Sequence, residues 1–166
     1  MRGSWIFVAL VAFVVPAGAQ SLEESMKSAA GAYERKDFAA AIAVWRPLAE
    51  AGNAEAQTLL GAMYWSGEGV PRDHKEAAKW YLRAADKGYA RAQNDIGFMY
   101  GFGEGTPPRD DVQAYKWLSL AVRNYTAKNQ ARLDQATRDL ATLAARMTPA
   151  QIATADRLVH DFRPSP

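Results

Sequence analysis

The stretch Ala54-Glu-Ala-Gln-Thr-Leu-Leu-Gly61-Ala-Met-Tyr64 decides the fold. It returns as Ala90-Arg-Ala-Gln-Asn-Asp-Ile-Gly97-Phe-Met-Tyr100, at an offset of 36 residues. The copy continues with Gly67-Glu68-Gly69 over Gly103-Glu104-Gly105 and Pro71 over Pro107; Pro108 then moves the offset to 37. Arg72-Asp73 matches Arg109-Asp110, Ala77 matches Ala114, and Lys79-Trp80 matches Lys116-Trp117. A period in the thirties is the period of stacked helix pairs, none of which buries its apolar face alone.

Each copy reads as helix, loop, helix. Ala56, Leu60, Met63 and Tyr64 recur at helical spacing, as do Ala92, Ile96, Met99 and Tyr100, which marks the buried stripe of a first helix. Gly61 and Gly97 interrupt those helices. A glycine there costs about 1 kcal/mol against alanine, so both are expected where a neighbouring helix comes close. The Gly-x-Gly segments stop the first helices, because glycine takes the left-handed conformation such a stop needs. Asp73-x-x-Glu76 and Asp110-x-x-Gln113 then open the second helices in the manner of a capping box. Trp80 and Trp117 recur there, with Trp45 in the same place upstream; recurrence marks them as core.

Working outward, residues 29–52 are a looser copy. Asp37-Phe38 opens a helix carrying Ala41, Ile42, Trp45 and Leu48, preceded by a helix from about Leu22 to Glu34. Downstream, Leu133, Leu140, Leu143, Ala144 and Met147 fall on one helical stripe. Thr148-Pro149-x-Gln151 starts a last helix, with threonine as N-cap and proline at the first helical position. Residues 163–166 are expected to fray. The sum is about eight helices in four pairs, with no strand alternation between hairpin turns.

Residues 1–19 read as an address. Arg2 is the only charge before Glu23, residues 5–15 are apolar, Pro16 breaks the run, and Ala17-Gly-Ala19 offers small residues to a signal peptidase. That run makes ~16 Å of helix against a hydrocarbon core of about 30 Å, too short for an anchor. Cleavage after Ala19 is expected to leave 147 residues, periplasmic or secreted, with 19 basic and 18 acidic side chains. Such a balance offers no basic stripe for nucleic acid. The full chain is 49% apolar and 23% charged, which excludes wholesale disorder. It has no cysteine, which excludes disulfides, a thiol nucleophile, thiolate-bound zinc and a lipoprotein anchor.

These motifs resemble the Sel-one-like repeat family, a branch of the tetratricopeptide-repeat superfamily. Residues 54–88 match Ala-x-x-x-Leu-Gly-x-x-Tyr-x-x-Gly-x-Gly-Val-x-x-Asp, then Ala-x-x-Trp-Tyr-x-x-Ala-Ala-x-x-Gly, almost throughout. Residues 90–122 match with Ile96 for the leucine, Thr106 for the valine and an inserted proline. Residues 145–158 resemble the closing helix of exported bacterial members. The resemblance implies an all-α, right-handed α-solenoid of stacked antiparallel helix pairs. Its expected divisions are a signal peptide at 1–19, a degenerate pair at 20–52, repeats at 53–88 and 89–125, and capping helices at 126–166. It implies a non-enzymatic scaffold of the bacterial envelope that holds a protein or peptide segment in its concave groove, with no nucleic acid and no membrane insertion after cleavage. The alternatives are an accessory or regulatory subunit of envelope signalling or polysaccharide production and, with least support, an envelope hydrolase. The last would need coupled titratable groups in one pocket, and the sequence offers no constellation for them.

In related repeats the first helix of each pair lines the groove. Counting from the motif glycine places Glu55, Thr58, Ala62 and Trp65 there, then Arg91, Asn94, Phe98 and Gly101, with Phe102 beside them. Trp65 and Phe98 are expected as apolar anchors, because the motif requires no aromatic at either place; the competing reading packs them against a neighbouring first helix. Arg91, Asn94 and Glu55 would fix orientation. No metal, cofactor or catalytic residue is expected. His74 and His160 lack ligand spacing and are expected at solvent. Asp73 and Asp110 read as caps. Gly101-Phe-Gly-Glu-Gly105 follows a helix, so it reads as a helix stop rather than a phosphate cradle.

Overall fold

Caps and glycine stops divide the chain before any packing. The structure, a computed structural model, describes residues 17–105 and 108–165, with side chains from Ser21 onward. The helices are α1 (Ala17–Glu34), α2 (Phe38–Glu50), α3 (Ala54–Ser66), α4 (His74–Asp86), α5 (Ala90–Phe102), α6 (Asp111–Asn124), α7 (Gln130–Ala144) and α8 (Pro149–Asp161), with a 3₁₀ turn at Ala127–Asn129. Most of the expected export signal, and the loop positions Thr106 and Pro107, lie outside the described residues. The expected cut after Ala19 falls in the first turn of α1.

The caps are those the sequence predicts. Asp73 accepts from the N–H groups of Lys75 and Glu76, and Asp110 from those of Val112 and Gln113. Only Thr148 and Gln151 complete the reciprocal capping box among the described residues. Each such cap stabilises its helix by about 1 kcal/mol. Gly67 and Gly103 end α3 and α5 in the left-handed region, at φ 77° and 72°, and donate to the carbonyls of Met63 and Met99.

Successive helices from α1 to α6 pack on one another, and α7 and α8 both dock on α6. The core repeats with the sequence: Trp45, Trp80 and Trp117 are all buried, among Leu60, Met63, Ile96 and Met99. Gly61 lies under Tyr81 of α4, where a Cβ would come to 2.9 Å from the ring. Gly97 lies under Leu118 of α6, where a Cβ would meet the Leu118 backbone nitrogen at 3.2 Å. Glycine is therefore used for close helix contact, which offsets its poor helix propensity.

A buried amide recurs as well. Gln57 donates through Nε2 to the Ala49 carbonyl at 2.9 Å, and Gln93 to the Ala85 carbonyl at 3.1 Å. Each first helix is thereby tied to the last turn of the second helix before it, through a carbonyl that also accepts from the Gly52 or Gly88 N–H.

The C-terminal tail departs from expectation. Instead of fraying, it straps the stack: the Ser165 N–H donates to the Asp86 carbonyl at 2.8 Å, just beyond Phe162, the C-cap of α8, which stands edge-on to Trp117 at 5.6 Å. The free carbonyl at the end of α4 and the apolar edge of Trp117 supply the reason, since both need a partner.

Candidate functional site

The repeat sets which side chains of α3 and α5 turn away from the second helices. On α5 these include Arg91, Asn94, Asp95 and Phe98, and with Trp65 of α3 and Tyr81 of α4 they line one cleft of about 260 Å³. Four of the residues expected in the groove, Trp65, Arg91, Asn94 and Phe98, thus meet in one place. Phe98 also borders a second, more apolar cavity, walled by Phe102 on α5, by Leu143 at the end of α7 and by Arg146 just beyond it, and floored by Leu118. Phe98 and Phe102 are 45% and 61% exposed, with ring centroids 4.3 Å apart. Two large aromatic rings held one helical turn apart and open to solvent form an apolar landing place.

Trp65 does not stand free. Its indole stacks on the His74 imidazole at 4.3 Å and is half-buried against the core formed with Tyr81. His74 is therefore partly covered by Trp65 and lies 3.8 Å from Glu104, with its side chain still 33% exposed. The reason lies in the next repeat, whose Gly105 passes so close that a Cβ would lie 2.1 Å from the His74 carbonyl oxygen. That loop presses the start of α4 onto Trp65.

Thr58 is a correction. It is fully buried, and its hydroxyl donates to the Ala54 carbonyl at 2.8 Å. It sits one turn before Gly61, on a helix whose Gln57, Thr58, Leu60 and Gly61 are all covered, so no surface is left for a ligand. Glu55 is exposed but lies apart from the aromatic cleft, in a depression with Leu22, Met26 and Lys27 of α1. Ala62 and Gly101 are half-buried.

The cleft's charges interact. Arg91 Nε lies 3.9 Å from Asp95 Oδ2, one helical turn on. Burial raises the Asp95 carboxyl above its usual range, and Arg91 opposes that shift. Burial likewise raises the Tyr81 phenol well above its ordinary value. Sequence reasoning missed Asp95 and Tyr81. The first was within reach, as an acid four residues from Arg91 on one helix face. Tyr81 belongs to another helix, and only folding brings it in. Chemically, the cleft offers aromatic faces, one ion pair and an amide. Among the described residues no group of three or more acidic or histidine side chains could hold a metal ion.

Comparison with known proteins agrees with this architecture. The Sel1 repeat family matches residues 54–89 and 90–124. The solved structure of a protective antigen present in uropathogenic Escherichia coli strains, displaying an SLR fold, superposes with a TM-score of 0.75 at 27% identity, covering 88% of this chain and 30% of that one. A Sel1 repeat protein from Oxalobacter formigenes superposes with a TM-score of 0.58 at 30% identity, over 65% of this chain and 44% of that one. This chain therefore spans less than half the length of either. No curated protein matches the sequence.

Proposed function

This chain is a Sel1-repeat protein, carrying two such repeats at residues 54–89 and 90–124, and we propose on that footing that it is a non-enzymatic binding module. Sel1-repeat proteins are in general protein–protein interaction scaffolds. The finer reading is that the concave face of α3, α5 and α7 holds a segment of a protein partner. One observation carries it: Phe98 and Phe102, the large aromatics most exposed among the described residues, sit side by side on the face that Arg91 and Asn94 share. Large exposed aromatics beside a few placed polar groups are the usual make-up of a binding hot spot.

We read the location of that work from residues 1–19, as export to the bacterial envelope. No helix among the described residues is long and apolar enough to cross a membrane.

The test is a pull-down from envelope extract with the wild type and with a Phe98→Ser/Phe102→Ser double variant of unchanged circular dichroism. The expected result is loss of the captured partner with the variant. Equal capture by both would overturn the groove reading.

A further inference from the structure

Beside the aromatic cleft, where α5 and α7 begin, lies a polar cavity of about 370 Å³. Arg91 and Arg132 line it together with Tyr89, Tyr125, Asn124 and Asn129, and its lining contains no carboxylate. Both guanidiniums line the same wall; burial raises the Tyr89 and Tyr125 phenols and the Asp95 carboxyl, and both arginines oppose that shift. Arg91 faces Asp95 at 3.9 Å through Nε, too long for a hydrogen bond, so the pair does not engage its fork in a bidentate contact. Two guanidiniums line this cavity and no carboxylate does; Asp95 and Glu55 act on it only from outside its wall. Glu55 of α3 acts on Tyr89 more strongly than either arginine does, but it is exposed, as Arg132 is, so solvent screens both.

Resting on the groove reading above, we propose that the partner segment is acidic as well as apolar. A carboxylate of an extended peptide docks between Arg91 and Arg132, and an apolar side chain three to five residues away seats on Phe98 and Phe102. The spacing follows from the helix. Phe98 and Phe102 lie seven and eleven residues beyond Arg91 on α5, which is ~10 and ~16 Å of rise. An extended chain covers about 3.3 Å per residue, hence three to five residues. Guanidinium forks match a carboxylate better than any other peptide group. A lysine or arginine in the same place meets two like charges. The carboxylate is that of an Asp or Glu side chain within the segment.

The experiment is selection of a displayed random decapeptide library on the full chain, followed by anisotropy titration of the enriched peptides. The expected result is enrichment of an acid spaced three to five residues from a large apolar residue. Affinity is expected to fall about tenfold or more with Arg91→Gln or Arg132→Gln, and to stay unchanged with Arg157→Gln on α8. Synthetic peptides with amidated ends are expected to bind as well as those with free ends; loss of binding on amidation overturns the side-chain assignment. Peptides that lose binding with Phe98→Ser yet show no acid preference overturn this inference and leave the groove reading standing. Peptides indifferent to both the arginine and the Phe98 variants, or no enrichment at all, overturn both.

Discussion

Asn124 donates through Nδ2 to Gln93 Oε1 at 2.9 Å and to the Gly88 carbonyl at 3.2 Å, whereas one repeat earlier the buried Oε1 of Gln57 has no hydrogen-bond partner. The two repeats share the glutamine but not its second bond. Asn124→Leu is therefore expected to strand Gln93 Oε1 and lower stability by about 1–3 kcal/mol, the usual cost of an unsatisfied buried acceptor. Urea unfolding of the variant beside wild type measures it.

Gly61→Ala brings a methyl group to 2.9 Å from the Tyr81 ring. The helix gains about 1 kcal/mol of propensity, but overpacking costs about 1–3 kcal/mol. The net effect is expected to be destabilising. Pairing it with Tyr81→Leu, which removes the ring, separates the two effects: the alanine costs less in that background. A thermal melt series over the four proteins reads the coupling.

Gly105→Ala combines a left-handed φ of 72° with a Cβ placed 2.1 Å from the His74 carbonyl oxygen. Unlike Gly61, it meets backbone that has no rotamer to give. It is expected to displace the loop from the start of α4 and loosen the Trp65–His74 stack. Trp65 fluorescence and melting temperature then change together, and the melting temperature falls further than for Gly61→Ala.

Asp95 links site and stability. Burial raises its pKa in the fold, so its charged form is disfavoured there. The stability it contributes is full below the unfolded value of about 3.9 and is lost as pH rises through the raised folded value. Asp95→Asn is expected to be more stable than wild type at pH 7, with the gap closing toward pH 3. Urea midpoints at the two pH values decide it. A residue that stabilises on neutralisation is one the fold keeps at a cost.

Asp111 runs the other way. Hydrogen bonds from Arg109 and Arg146 lower its pKa, and Arg146 Nη2 reaches it at 2.9 Å from just beyond α7. Its contribution is present above about pH 3.9 and is lost as pH falls through the lowered folded value. Asp111→Asn is thus expected to be less stable than wild type at pH 7 and indistinguishable from it at strongly acid pH. The same pair of urea titrations shows whether the sign reverses between the two aspartates.

Much of the fold was legible in the chain. Helix stops at Gly67 and Gly103, caps at Asp73, Asp110 and Thr148, and the recurring tryptophans are local or periodic signals. A residue's own backbone preference, or its return 36 positions later, is enough to read them. The position count also placed Arg91, Asn94 and Phe98 on one face of α5, because residues three, four and seven apart share a helix face.

What only the tertiary structure decided depends on contacts between helices that are distant in sequence. Thr58 has the same register as Asn94 but is buried. His74 is held against Trp65 by a loop of the next repeat, and the tail meant to fray bonds the Asp86 carbonyl through Ser165. Arg132 joins Arg91 because α7 docks on α6 and delivers it there. Periodicity determines which side chains leave each helix on the same side. Which of them end beneath a neighbour, and which stay open to a partner, is set by how closely the next helix packs; a single glycine at Gly61, Gly97 or Gly105 controls that distance.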